Sequence, residues 1–154
     1  MKSSLKKTLY VLLFCVFILL ASLLWLSLRP IEIVAVHDNG NWSSVLVKNF
    51  PVTDRGKIDW WLKNKDMLKR QYDIPKPASY GNYTVSIWLF GEGYKEEGKY
   101  DRLCFDDINP PINCIEKDRV FIISYSKNRG VIFTVDDGEY RMENDGKIIK
   151  LKGE

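Results

Sequence analysis

Six carboxylates fall within sixteen positions: Glu92, Glu96, Glu97, Asp101, Asp106 and Asp107. A pair of carboxylates flanking a glycosidic bond is the machinery of glycoside hydrolysis, so this cluster is the first candidate for catalysis. Lys95, Lys99 and Arg102 interleave with it, however, and mixed charge of that kind is what a solvated hairpin carries. Neither Asp-Asp pair opens a calcium loop of the D-x-D-x-D-G form, and Asp136-Asp137-Gly138 and Asn144-Asp145-Gly146 read as turns. His37 is the only histidine. A Ser–His hydrolase would depend on it, yet no G-x-S-x-G elbow marks a partner serine. His37 is therefore expected in a surface or turn-packing role. The sequence also lacks a P-loop and a G-x-G-x-x-G. These residues predict no catalytic set, no metal centre and no cofactor, and the chain is expected not to be an enzyme.

The elements that position these residues begin with an anchor. Thr8 to Leu28 is an uncharged run of twenty-one residues, nearly all large and apolar. As a helix it reaches about 31 Å, which matches a hydrocarbon core of about 30 Å. A cleaved signal has a shorter apolar stretch ending in small residues, and no A-x-A pattern follows this run. Cys15 lies in mid-run behind Phe14 rather than behind a small residue at a run's end, so it reads as a lipid-facing thiol rather than a lipid attachment point. The expected organisation is a cytoplasmic amino terminus over 1–7, a retained transmembrane helix over 8–28 and an exported domain over 30–154. Lys2, Lys6 and Lys7 before the span, against Arg29 alone just after it, give that orientation by the positive-inside rule. Those four also explain the charge. The chain carries 23 basic and 20 acidic residues, so setting the four aside leaves 19 against 20 and a balance of −1. A near-neutral domain does not predict nucleic-acid binding.

An exported domain meets an oxidising compartment, and Cys104 and Cys114 stand ten positions apart around Asn109-Pro110-Pro111. One structural disulfide is the expected reading. The alternatives are a redox pair, which usually has two intervening residues, and structural zinc, which takes four ligands.

Pro30 stops the anchor and IEIVAV follows at once, which predicts a domain held close to the bilayer. Asp38-Asn39-Gly40-Asn41 predicts a hairpin between IEIVAVH and WSSVLVKNF. A helix is expected from Thr53 to about Tyr72, ended before Pro75 and Pro77. YTVSIWLF, LCF, RVFIISYS, GVIFTVD, EYRME and KIIKLK predict further strands, the last four as an antiparallel meander. One helix packed across a sheet of seven or eight short strands is an α+β domain.

The helix offers a candidate partner surface. At about 100° per residue, Ile58, Trp61, Leu62, Leu68 and Tyr72 fall on one face, the expected core contact. Trp60 and Met67 fall roughly opposite, beside Lys57, Lys63 and Arg70. Aromatic and basic residues together are typical of binding hot spots, so this face is expected to dock a protein or the anionic membrane surface.

The run LRPIEIVAVHDNGNWSSVLVKNFPVTDRGKIDWWLKNKDMLK, with IPKPAS, GYKEEGKYDRLCFDD and NCIEKD, resembles a family of small enterobacterial membrane proteins catalogued as a domain of unknown function. The resemblance implies a Gram-negative cell, hence an inner-membrane anchor and a periplasmic domain, and brings no active-site residue with it. Asn41-Trp42-Ser43 and Asn82-Tyr83-Thr84 would be glycosylation sequons in a eukaryote, and carry no such meaning in a bacterium. The functional expectation is a single-pass inner-membrane protein whose periplasmic domain binds another protein. The alternative is an immunity-type protein that neutralises a periplasm-acting toxin, and an envelope glycan hydrolase is least favoured.

Overall fold

The computed structural model describes residues 1–153. The chain divides into two units, Met1–Pro30 and Ile31–Glu154. The first is one helix, α1 (Lys2–Ser27), none of whose residues is buried within the protein. It is the one described helix long and apolar enough to cross a membrane. Its last turn carries Trp25, over whose ring the Arg29 guanidinium sits at 4.5 Å.

The second unit holds β1 (Glu32–Asn39), β2 (Trp42–Lys48), α2 (Asp54–Tyr72), β3 (Tyr83–Leu89), β4 (Lys95–Glu96), β5 (Leu103–Cys104), β6 (Ile112–Ile115), β7 (Arg119–Ser126), β8 (Gly130–Val135), β9 (Gly138–Met142) and β10 (Ile148–Lys150). Seven strands form one sheet in the order β1-β2-β3-β7-β8-β9-β10, and three form a small one in the order β4-β6-β5. All the expected strands are present, joined by β4 and β6, and the class is α+β.

The pairing differs from a purely antiparallel sheet at one place. β2 and β3 run parallel, with Trp42 opposite Thr84 and Val47 opposite Leu89. The cause is the connection between them. A parallel neighbour requires a crossover, and α2, 19 residues and so about 28 Å long, carries the chain back along the sheet. Thr53 caps it by accepting from the Gly56 amide. Gly56 is needed there, because a Cβ would lie 2.8 Å from the Thr53 hydroxyl and 2.9 Å from Pro51 Cβ. At the other end Asp73 takes a left-handed conformation, and its amide and that of Ile74 satisfy the Lys69 and Leu68 carbonyls.

Strand alternation divides the core in two. Val45, Val47, Val85, Ile87, Phe121, Ile123, Phe133 and Val135 face one side of the large sheet, where they pack with Ile58, Trp60, Trp61 and Leu68 of α2. On the other side Leu46 packs with Phe105 and Ile115, bringing in the small sheet as a third, partial layer. Cys104 and Cys114 sit opposite each other on β5 and β6 and are joined in a disulfide.

Candidate functional site

The helix surface expected from the sequence is not the exposed patch its periodicity suggests. Trp60 is only 6% exposed and belongs to the core, meeting Phe50 edge-on at 5.1 Å between ring centres. Phe50 lies in the β2–α2 connection, which closes over a side of α2 that a helical wheel treats as free. Lys57 is buried too, and its Nζ donates to the Val120 carbonyl at 3.0 Å. That carbonyl lies where the register of β3 and β7 slips, between the Ile87–Phe121 and Trp88–Arg119 pairs. Such a bulge leaves a residue out of the ladder, and the ammonium takes the vacated place. Met67 packs against the same core. Lys63 and Arg70 alone of the expected set are exposed, two cations without their aromatic partner.

Part of the acidic cluster, Glu92 and Asp101, is engaged in pairing around the small sheet, together with Glu116. Glu116 takes Arg102 at 2.9 Å and Lys95 at 3.5 Å, while Lys95 also pairs with Glu92 and Lys117 holds Asp101 at 2.7 Å. The hydrogen bond from Arg102 lowers the Glu116 carboxyl below its ordinary value, as that from Lys95 does for Glu92. Glu96, Glu97 and Asp106 stand exposed.

Asp107 is placed differently, because it reaches His37. His37 lies on β1 opposite Ser44 and is 8% exposed. Its Nδ1 meets the Asp107 carboxylate at 2.7 Å, its Nε2 meets the Tyr94 hydroxyl at 2.8 Å, and its ring stacks on Phe105 at 4.0 Å. A carboxylate only accepts, so Nδ1 carries a proton towards Asp107, and Nε2 shares the second hydrogen bond with the Tyr94 hydroxyl. Burial, and then the Asp107 charge, raise the Tyr94 phenol above its ordinary value, which keeps it protonated. Both imidazole nitrogens are occupied, and the cluster joins β1 to the small-sheet layer.

A more open constellation lies at the other end of the large sheet. Because β2 and β3 are parallel, their first residues coincide. β7 is antiparallel to β3, so its last residues arrive at the same end. One row across the sheet therefore reads Trp42, Thr84, Ser124, Ile132. Around it is a cleft of about 270 Å³, to which Asn41, Tyr80, Asn82, Tyr83, Tyr125, Ser126 and Arg129 also contribute. Ile132, 1% exposed, closes its floor, whereas Trp42 is 60% and Tyr80 67% exposed. Tyr83 and Tyr125 stack at 5.7 Å as a cross-strand pair.

Local structure fixes these side chains. Gly81, at φ +95°, permits the tight turn that presents Tyr80, with its amide bonded to the Ala78 carbonyl. The Asn41 side-chain amide donates to the Asn82 carbonyl, tying the start of β2 to that turn. Burial, then the neighbouring Tyr125, push the Tyr83 phenol above its ordinary value, so it stays a neutral donor and acceptor. Arg129 is the single charged residue of the lining, and its guanidinium donates to Glu139 at 2.6 Å. Chemically the cleft offers aromatic surface, neutral amides and hydroxyls. Sequence reasoning did not assemble it, although one signal was there. The two Asn-aromatic-hydroxyl triplets, 41–43 and 82–84, head β2 and β3.

No curated protein and no solved structure matches this chain. The family described as "Enterobacterial putative membrane protein (DUF943)" matches residues 2–152. With that match over nearly its whole length, and with the one apolar helix that such a protein needs, the chain belongs to this family of enterobacterial membrane proteins of unknown function.

Proposed function

We propose that the chain is a single-pass inner-membrane protein, amino terminus in the cytoplasm, that holds its α+β domain in the periplasm as a binding module rather than an enzyme. Lys2, Lys6 and Lys7 before the apolar helix support the orientation, and the disulfide suits an oxidising compartment. The engaged carboxylates of the small sheet and the doubly occupied imidazole of His37 favour binding over catalysis. The observation that carries the reading is the pair Trp42 and Tyr80, large aromatic side chains left standing in solvent at the mouth of a cleft. Exposed aromatics beside an arginine are the residue types that dominate binding energies. This reading puts the binding surface at the sheet's end rather than on α2, where the sequence suggested that a protein or the anionic membrane surface would dock.

Tryptophan fluorescence tests this. Trp60 and Trp61 are buried and Trp42 is the exposed tryptophan of the domain. Full-length protein, in a detergent without a sugar headgroup, is mixed in turn with purified sacculi, envelope protein and envelope lipid. One fraction is expected to shield the protein from acrylamide quenching, and the shielding should vanish in Trp42→Phe. Quenching unchanged by all three fractions overturns the reading.

A further inference from the structure

We propose that the cleft at the end of the large sheet binds a saccharide, accommodating one or two sugar rings of an uncharged stretch of envelope glycan. The proposal rests on the binding reading above and names the ligand class for the same site.

A pyranose has two kinds of surface. Its ring C–H groups form weakly positive, apolar faces, and its rim carries hydroxyls that both donate and accept. The faces suit the negative face of an aromatic ring. The rim needs partners that are neutral and themselves mixed in character. The cleft supplies both sets together: Trp42 and Tyr80 as exposed rings, with Asn41, Asn82, Thr84 and Ser124 among the polar groups around them.

Charge argues against the commoner polar ligands. The lining contains no carboxylate, so it offers a cation no ion pair, and its one cation, Arg129, is already bonded to Glu139 at 2.6 Å. A phosphate or a carboxylate would meet an arginine whose charge Glu139 already offsets. A ligand recognised by hydroxyl groups does not depend on that charge.

Size and position argue against a protein chain. A stable protein interface takes about 20–30 residues from each partner, whereas eleven line this cleft. A peptide added as a strand needs a free sheet edge. The cleft lies over β2, β3, β7 and β8, each of which has a neighbour on both sides. The neutral Tyr83 phenol, its ionisation opposed by burial, is in keeping with recognition by hydrogen bonds rather than charge.

The test uses full-length protein in the same detergent and two probes: purified sacculi in a sedimentation assay, and soluble β-1,4-linked N-acetylglucosamine oligomers in a titration. Saturable binding is expected to at least one probe. Trp42→Ala and, separately, Tyr80→Ala should weaken it about tenfold or more, the scale of one lost stacking contact. Lys63→Ala, on exposed α2 surface, should not change it. Both aromatics are exposed, so the unfolding midpoints of the variants should match the parent, which makes a loss of binding interpretable. Failure of both probes to bind overturns the proposal, as does binding that survives both aromatic substitutions. If the probes fail while envelope protein or lipid still shields Trp42, the saccharide is wrong and the binding reading stands. If nothing shields Trp42, both fall.

Discussion

His37 shows how one side chain joins two layers. Its ring is sandwiched by chemistry from the small-sheet region: Phe105 against its face, Asp107 on Nδ1 and Tyr94 on Nε2. Replacing it by Ala would take from the half-buried Tyr94 phenol its imidazole partner and remove the stacked ring. A cost of about 0.5–1.5 kcal/mol for the lost hydrogen bond is expected, before any packing loss. Urea unfolding would measure it, and hydrogen exchange should quicken across 94–115 while β8 to β10 stay protected. Uniform loss of protection would instead mean that His37 supports the whole domain. Tyr94 adds a pH effect whose sign is fixed. Its phenol is raised above 10.0 by burial and then by Asp107. Tyr83 is raised by burial and then by Tyr125, and Tyr140 by its hydrogen bond to Asp54 and then by burial. A group whose folded value is raised stabilises fully below its unfolded value and loses that contribution as pH climbs. The urea midpoint should therefore fall as pH rises beyond about 10, with phenolate absorbance tracking the loss. Tyr94→Phe should make the fall shallower.

At the scale of elements, α2 shows where sequence patterning reaches and where it stops. The helix, its Thr53 cap and its stop before Pro75 are visible because they rest on neighbours in the chain. So are the strands, whose apolar residues alternate between turns rich in Asn and Gly. The contact face is harder. A helical wheel finds Ile58, Trp61 and Leu68, but it counts a single packed face, and Phe50 from the incoming connection supplies a second. Trp60→Ala should accordingly cost about 3–5 kcal/mol in denaturant unfolding, the range for a large aromatic lost from a core, and leave ligand binding in folded protein untouched. A binding loss with unchanged stability would restore Trp60 as a surface residue. The cleft was less legible still, for its parts come from residues 41–42, 80–84 and 124–132. The parallel register of β2 with β3 and the antiparallel pairing of β3 with β7 unite them, and strand pairing leaves little trace in a single sequence. The disulfide was legible from compartment and spacing. Its removal by Cys104→Ser with Cys114→Ser should cost about 2.5–3 kcal/mol on the loop-entropy account, read as a lowered urea midpoint.

For the whole molecule the governing choice is the side of the membrane on which the domain folds, and the disulfide reports on it. In the proposed topology α1 is the span, and Lys2, Lys6 and Lys7 hold its amino terminus in the cytoplasm because cations resist transfer across the bilayer. The cytosol keeps thiols reduced, whereas the periplasm oxidises them. In a Cys15→Ser background, Cys104 and Cys114 are the remaining thiols. Denatured protein trapped from cells should then take up no maleimide until a reductant is added, when it should gain two labels per chain. Reversing the flanks, with Lys2, Lys6 and Lys7 changed to Glu and Ser27 to Lys, should place the domain in the cytosol and expose both thiols without reductant. In each case alkaline extraction should leave the chain in the membrane pellet, since about 30 Å of apolar helix is retained whichever way it points. Parent protein that labels before reduction would place the domain in the cytosol, away from the envelope glycan, and would remove the setting in which an aromatic, uncharged cleft has a sugar to meet.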